Sequence, residues 1–249
     1  MAGHSHSANI ARRKNAVDAQ RAKIFSKCAK HVMSAVRQGG PDPAQNLKLR
    51  YAIEKARAAN MPKDNIERAI KRASGEGAGD IEELTYEGYA PGGIAIMVSC
   101  LTDNRNRTAA DVKHIFEKRG GNLGSQGSVA FMFDFRSIFV VDAEGKSEDD
   151  SVEAALEAGA EDCEHEGDVA TVYAAPGDFL EVKEGLEGQG LSFLSAETGY
   201  VPQTTVEIES KDDAAKVLKL ISLLEDNEDV QNVYANYEMP DAWIDELAG

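Results

Sequence analysis

Ile94-Ala95-Ile96-Met97-Val98-Ser99-Cys100-Leu101 is the longest apolar run in the chain, and Ser99 interrupts it within eight residues. A helix that crosses a bilayer needs about 20 such residues, so this run predicts a buried strand and no membrane partner. Directly after it the period changes. Val112, Ile115 and Phe116 recur at helical spacing, and apolar, strand-forming residues return at 129–135. The order strand, helix, strand over 94–135 is one βαβ unit.

The same alternation continues to the C-terminus. Strand-like runs lie at 138–141, 169–174, 191–195, 204–208 and 230–237, with a short one near 161–165 and a weaker one near 84–89. Helical patterns fall between them at Val152, Ala155 and Leu156, at Phe179, Leu180 and Leu186, and at Ala214, Val217, Leu218, Ile221 and Leu224. The last opens on Ser210-x-x-Asp213, a capping-box pattern. Two βαβ units can interleave into a four-stranded antiparallel sheet with two helices on one face, whereas one unit alone cannot bury its sheet. Residues 138–195 already hold every part of such a module. The units at 94–135 and 204–237 complete each other around it, which places Ile94–Leu101 and Thr204–Ile208 in one sheet.

Upstream, the pattern is purely helical. Apolar positions 17, 24, 25, 28, 32 and 36 fall in a sector of about 120°, while Lys23, Lys27, Lys30 and Arg37 lie within about 80° on the other side. Residues 47–59 and 62–73 repeat the helical spacing, with Pro62 suited to a first turn and Gly75 to a C-cap. The expected fold class is therefore α+β: an N-terminal all-helical domain, then two ferredoxin-like modules, the second inserted in the first. The expected divisions are 1–78 for the basic helical domain, 79–136 plus 203–239 for the split module, 137–202 for the inserted module and 240–249 for a tail.

Charge is segregated along the chain. The net charge of −16 divides into +11 over residues 1–72 (sixteen Lys+Arg, five Asp+Glu) and −27 over residues 73–249. A basic segment at one end is the electrostatic footprint of a polyanion partner. Arg12, Arg13, Lys14, Arg21, Lys23, Lys27 and Lys30 place seven cations within nineteen residues, offset only by Asp18. Cations on one helix face neutralise phosphates without reading bases. The other reading of this face is a solvated surface docking onto the acidic half of the same chain. Arg105 and Arg107 stand at a strand-to-helix junction, where positive charge opposes the helix dipole. They either bind phosphate or pair with a neighbouring carboxylate.

Catalytic and metal signatures are missing. No phosphate-binding P-loop, nucleophile elbow, H-E-x-x-H or EF-hand pattern occurs, and three scattered cysteines form no C-x-x-C pair. His4-x-His6 and Cys163-Glu164-His165 each lack further ligands. The glycine-rich stretch Gly120–Ser128 either cradles a phosphate with its amides or forms a helix cap and tight turn. No enzyme activity, cofactor or metal is expected. The N-terminus lacks an apolar signal core, which predicts a cytoplasmic protein.

Several motifs resemble the YebC/PmpR family: Met1-Ala2-Gly3-His4-Ser5, Ala8-Asn9-Ile10, Arg13-Lys14, Asp18-Ala19 and Lys23-Ile24-Phe25 at the start. Asn60-Met61-Pro62-Lys63-Asp64, Ile66-Glu67-Arg68-Ala69-Ile70, Tyr86-Glu87-Gly88-Tyr89 and Pro91-Gly92-Gly93 follow. Leu101–Thr108, Gly120-Gly121-Asn122-Leu123-Gly124 and Gly127-Ser128-Val129 complete the set, over roughly residues 1–136. The resemblance implies a three-domain cytosolic protein with a helical domain and two ferredoxin-like domains, and no established cofactor or catalytic residue. It implies a DNA-binding transcriptional regulator. The alternative it carries is a translational activator at the ribosome or its RNA, acting on proline-rich stretches. A further alternative is an adaptor that binds a basic protein through the acidic half, net −24 over residues 137–249. The chain departs from the family pattern at His6-Ser7, where Lys-Trp is usual, and at Ala11, where a basic residue is common. Those departures remove an aromatic and cations from the nucleic-acid reading.

Overall fold

The computed structural model describes residues 21–75 and 81–247. Their contacts divide them into two compact units, 21–131 with 208–237 and 132–207 with 238–247. Among the described residues no helix is long and apolar enough to cross a membrane.

The first unit begins with three helices, α1 (Arg21–Gly39), α2 (Leu47–Ala58) and α3 (Lys63–Ser74). Val32, Ala35 and Val36 of α1 pack with Leu49 and Ala52 of α2 and with Ala69 and Ala73 of α3. Small alanines let the helices approach closely around two larger side chains, Val32 and Leu49, both fully buried. Asn46 joins α1 to α2. Its Oδ1 caps the amide of Leu49 at 3.0 Å, and its Nδ2 donates to the carbonyls of Ala35 and Gly40, each at 2.8 Å. Gly75 ends α3 in extended backbone and not in the left-handed conformation of a glycine C-cap.

The remainder of this unit is an antiparallel sheet in the order β3-β1-β2-β9. Its strands are β1 (Glu82–Ala90), β2 (Ile94–Thr102), β3 (Asn122–Leu123) and β9 (Val230–Ala235), with α4 (Arg105–Lys118) and α7 (Lys211–Asp226) packed against it. β2 is buried along its whole length except at Ser99, as its unbroken apolar run requires. β1 pairs with β2 residue for residue from Glu82↔Thr102 to Ala90↔Ile94. The run near 84–89 is thus a full nine-residue strand. It looks weak in sequence because Glu82, Glu83, Thr85 and Glu87 dilute its apolar alternation.

The second unit is a four-stranded antiparallel sheet in the order β5-β6-β4-β7. It runs β4 (Phe133–Asp142), α5 (Glu148–Glu157), β5 (Asp162–Glu166), β6 (Val169–Ala174), α6 (Phe179–Gly188) and β7 (Phe193–Pro202). This is the βαββαβ connectivity and strand order of a ferredoxin-like module. Phe139 forms part of its core, stacked on Phe179 at 5.1 Å and beside Phe193 at 6.0 Å. The two-residue strands β8 (Val206–Glu207) and β10 (Tyr237–Glu238) flank the α7–β9 return, and α8 (Asp241–Leu247) ends the described chain.

The α+β class holds, with helices first and antiparallel sheets after. Two strand expectations are corrected. Thr204–Ile208 does not share a sheet with Ile94–Leu101: the neighbours of β2 are β1 and β9. Thr204, Thr205 and Glu207 are exposed, which leaves Val206 and Ile208 alone as apolar residues of that run, too few to cover a central strand. The runs at 129–135 and 138–141 are, from Phe133 on, one strand, paired with β7 along its length from Phe133↔Pro202 to Val141↔Phe193. Arg136 and Ser137 do not break it, because Arg136 turns to Asp134 and Glu161 while Ser137 is buried and donates to the Ala175 carbonyl at 2.9 Å. The third strand of the first sheet is consequently only Asn122–Leu123.

Candidate nucleic-acid interface

The lysines of α1 emerge opposite its core stripe, as their spacing requires. Their surroundings are acidic. Lys23 Nζ meets Asp226 Oδ1 at 2.9 Å, and Lys27 Nζ donates to the Glu225 carbonyl at 2.7 Å. Lys30 Nζ reaches Asp229 Oδ1 at 2.8 Å and the Glu228 carbonyl at 3.1 Å. The end of α7 and the turn into β9, residues 225–229, therefore occupy the row Lys23, Lys27 and Lys30. Burial and the neighbouring Lys23 lower the Lys27 ammonium from 10.5 to about 8, against the pull of Glu225 and Asp226.

Asp229 is the hub of this turn, its side chain only 4% exposed. Its Oδ2 lies 2.8 Å from Arg107 Nη2 and 2.8 Å from Thr108 Oγ1. Burial alone would raise its carboxyl. Hydrogen bonds from Lys30, Arg107 and Thr108 outweigh that and hold it at about 2. Arg107 also bonds Asp103 Oδ1 at 3.0 Å, so of the two readings of this side chain the structure displays the carboxylate pairing. Arg105 is exposed, and its carbonyl accepts a long bond from the Tyr86 hydroxyl at 3.4 Å. Asn104 caps α4 through the Arg107 amide at 3.1 Å. Arg21 is exposed on α1. Arg12, Arg13 and Lys14 lie outside the described residues, as do His4, His6, Ser7 and Ala11.

The end of the glycine-rich stretch 120–128 and the two residues after it hold an anion, and that anion is internal. Glu87, buried on β1, accepts the amides of Gly127 at 2.6 Å, Val129 at 2.7 Å and Ala130 at 2.8 Å. Burial pushes this carboxyl up, and the three amides hold it below the ordinary range nonetheless. The glycines serve close approach: a Cβ at Gly88 would come within 2.6 Å of the Asn122 carbonyl oxygen, and one at Gly121 within 2.6 Å of that of Tyr89. Neither Asp229 nor Glu87 announces itself in sequence. The available signals were Glu87 alternating onto the inward side of a strand, and the acidic run Glu225-Asp226-Asn227-Glu228-Asp229 just before the apolar start of β9.

Elsewhere, Cys163 on β5 is raised to about 11, chiefly by burial and then by Asp162 and Glu164. His165 Nδ1 lies 3.0 Å from Ser151 Oγ. Among the described residues no three His, Cys, Asp or Glu side chains are grouped to hold a metal ion.

Fold and surface together define a class: an α+β protein with a basic helical region, a split antiparallel module and an acidic ferredoxin-like insert, without a recognisable catalytic constellation among the described residues. Residues 5–76 match the TACO1/YebC N-terminal domain, and residues 81–237 match the TACO1/YebC second and third domains. The chain belongs to the TACO1/YebC family, as its motifs suggested. It is 52% identical over its full length to a probable transcriptional regulatory protein of Magnetococcus marinus. A protein of the same description from Geobacillus kaustophilus is 52% identical, the match covering 96% of this chain and 98% of the relative. The crystal structure of a conserved hypothetical protein from Aquifex aeolicus is 48% identical and superposes with a TM-score of 0.81, covering 90% of this chain and 92% of that one.

Proposed function

We propose that the protein is a non-enzymatic, cytoplasmic, nucleic-acid-binding regulator of gene expression, of the DNA-binding transcriptional type. The observation that carries this reading is the segregation of charge. Residues 21–75 hold thirteen Lys+Arg against four Asp+Glu in a chain whose total is −16. The description of full-length relatives as probable transcriptional regulatory proteins supports it. Arg12, Arg13, Lys14, Arg21, Lys23, Lys27, Lys30, Arg105 and Arg107 are the cations proposed to contact phosphate. Lys23, Lys27, Lys30 and Arg107 would do so after exchanging the acidic residues of 225–229 for nucleic acid. Ribosomal RNA offers the same phosphodiester chemistry and is the alternative partner. Crosslinking in cells followed by sequencing of the bound nucleic acid tests the reading. Enrichment of promoter DNA supports it, enrichment of ribosomal RNA moves the function to translation, and recovery of neither refutes it.

A second reading, an adaptor for a basic protein, has its own observation. Residues 137–202 carry two Lys+Arg against seventeen Asp+Glu. On α5, Leu156 is 60% exposed among Glu148, Asp149, Glu153 and Glu157. Binding of a basic partner that persists after deletion of residues 1–74 would establish that role.

A further inference from the structure

We infer that the outward face of α3, formed by Arg68, Lys71 and Arg72, is a phosphate-backbone contact surface of this protein, an assignment that rests on the nucleic-acid reading above. Many cations of the helical region are already engaged. Lys23, Lys27 and Lys30 face the 225–229 turn, and Lys55 reaches Asn232. Arg57 pairs with Glu54, and Lys63 with Glu67. On α3, Ile66, Ala69 and Ala73 are buried and Ile70 packs against the same core. At 100° per residue Arg68, Lys71 and Arg72 span about 100° on the side away from that core, and all three are exposed. Lys71 and Arg72 form no ion pair among the described residues. Arg68 bonds only neutral groups, the Asp64 carbonyl at 3.2 Å and the Asn65 side chain.

Folding alone does not account for the cluster. Lys71 and Arg72 in the last turn complement the helix dipole, but Arg68 lies further up the helix and forms a like-charge i, i+4 pair with Arg72, which costs the helix stability. Three exposed cations within five residues, projecting to one side of a helix anchored by its opposite face, group positive charge where a sugar–phosphate backbone could be neutralised. Such contacts need no base readout. Duplex DNA and structured RNA share this chemistry.

The test is binding of the full chain to a labelled DNA duplex and to a ribosomal RNA hairpin across a salt series. The variants are Arg68→Gln/Lys71→Gln/Arg72→Gln and, as a control of equal charge loss, Lys113→Gln/Lys118→Gln/Lys219→Gln. The α3 variant should bind at least about tenfold more weakly, with a log–log salt slope flatter by about 0.9 per lost contact on the DNA duplex and a flatter slope likewise on the hairpin. The control should keep the parent slope. The probe that shows the change identifies the source of the phosphate. If the parent binds and the α3 variant matches it, or if both variants lose equally, the α3 assignment is wrong and the regulator reading stands. If the parent binds neither probe, the reading itself fails and this assignment with it. Circular dichroism checks folding, and Lys71→Gln/Arg72→Gln carries the same test should the triple variant unfold.

Discussion

Asp229 and Arg107 stand 122 positions apart in sequence and meet at 2.8 Å, with the aspartate buried and the arginine half-exposed. The contact ties the turn before β9 to the start of α4, and Lys30 brings α1 to the same carboxylate. A helix N-terminus that carries two arginines is electrostatically awkward. Asp229 relieves it, and the basic helix is anchored in the process.

This arrangement predicts a specific acid sensitivity. The Asp229 carboxyl falls from 3.8 to about 2 in the fold, so its stabilisation is complete above pH 3.8 and disappears as pH drops toward 2. The contribution is about 2 kcal/mol by linkage. Chemical denaturation across pH 5 to 2 should show the Asp229→Asn variant less stable at pH 5 and converging on the parent near pH 2. Parallel curves would show that the ion cluster is energetically silent.

Lys27 predicts a second rise of stability with pH, at the alkaline end. Its folded value of about 8 lies below the ordinary 10.5, so the unfolded chain binds the extra proton between these limits. Stability therefore rises with pH from about 8 toward 10.5, and below about 8, where both states are protonated, the burial penalty on the ammonium is felt in full. Denaturation of Lys27→Met against parent should show that rise in the parent and a flatter profile in the variant.

Glu87 is expected to organise the 120–130 segment. Glu87→Gln puts an amide NH₂ where a carboxylate oxygen accepts backbone N–H groups, leaving at least one buried donor unpaired at a cost of about 1–3 kcal/mol. Hydrogen exchange should accelerate at Gly127, Val129 and Ala130, with little change at Val98 in the centre of β2. Unchanged protection at the three amides would remove Glu87 from that role.

The division into units predicts that the insert is dispensable for folding of the first. Replacing residues 132–207 by a Gly/Ser linker should leave a cooperative thermal transition, because β2 takes its partners from β1 and β9 alone. Loss of cooperativity, with a chain truncated after Phe131 still folded, would show that β9 depends on the insert and that the split module is misassigned.

Much of the architecture was legible in the residues because burial on both faces leaves an unmistakable pattern. Ile94–Leu101 reads as a central strand, and Ser210-x-x-Asp213 does cap α7, with the Asp213 amide 3.1 Å from Ser210 Oγ. The order of strands and helices from 138 to 195 likewise followed from local periodicity, although the start of the first strand, Phe133–Phe135, was read into the preceding unit. β1 was harder to see, since a strand whose polar residues alternate with glycine and tyrosine draws its stability from pairing with β2. The partner of β2 at its other edge could not be read at all, because hydrogen bonds between strands carry no sequence signal when both candidates are apolar.

The candidate site divides along the same physical line. Helical phase, a property of the local backbone, determined that Lys23, Lys27 and Lys30 share a face opposite Cys28 and Val32. It could not determine what that face meets. Coulomb attraction depends on distance in space, and only the tertiary structure brings residues 225–229 to α1. The same holds for Glu87, whose charge is internal because the glycine-rich segment folds back over β1 and turns its amides inward. Sequence by itself determined where the cations are and which side of each helix they occupy; tertiary packing decided which of them are answered by the chain's own carboxylates and which, on α3, still point outward.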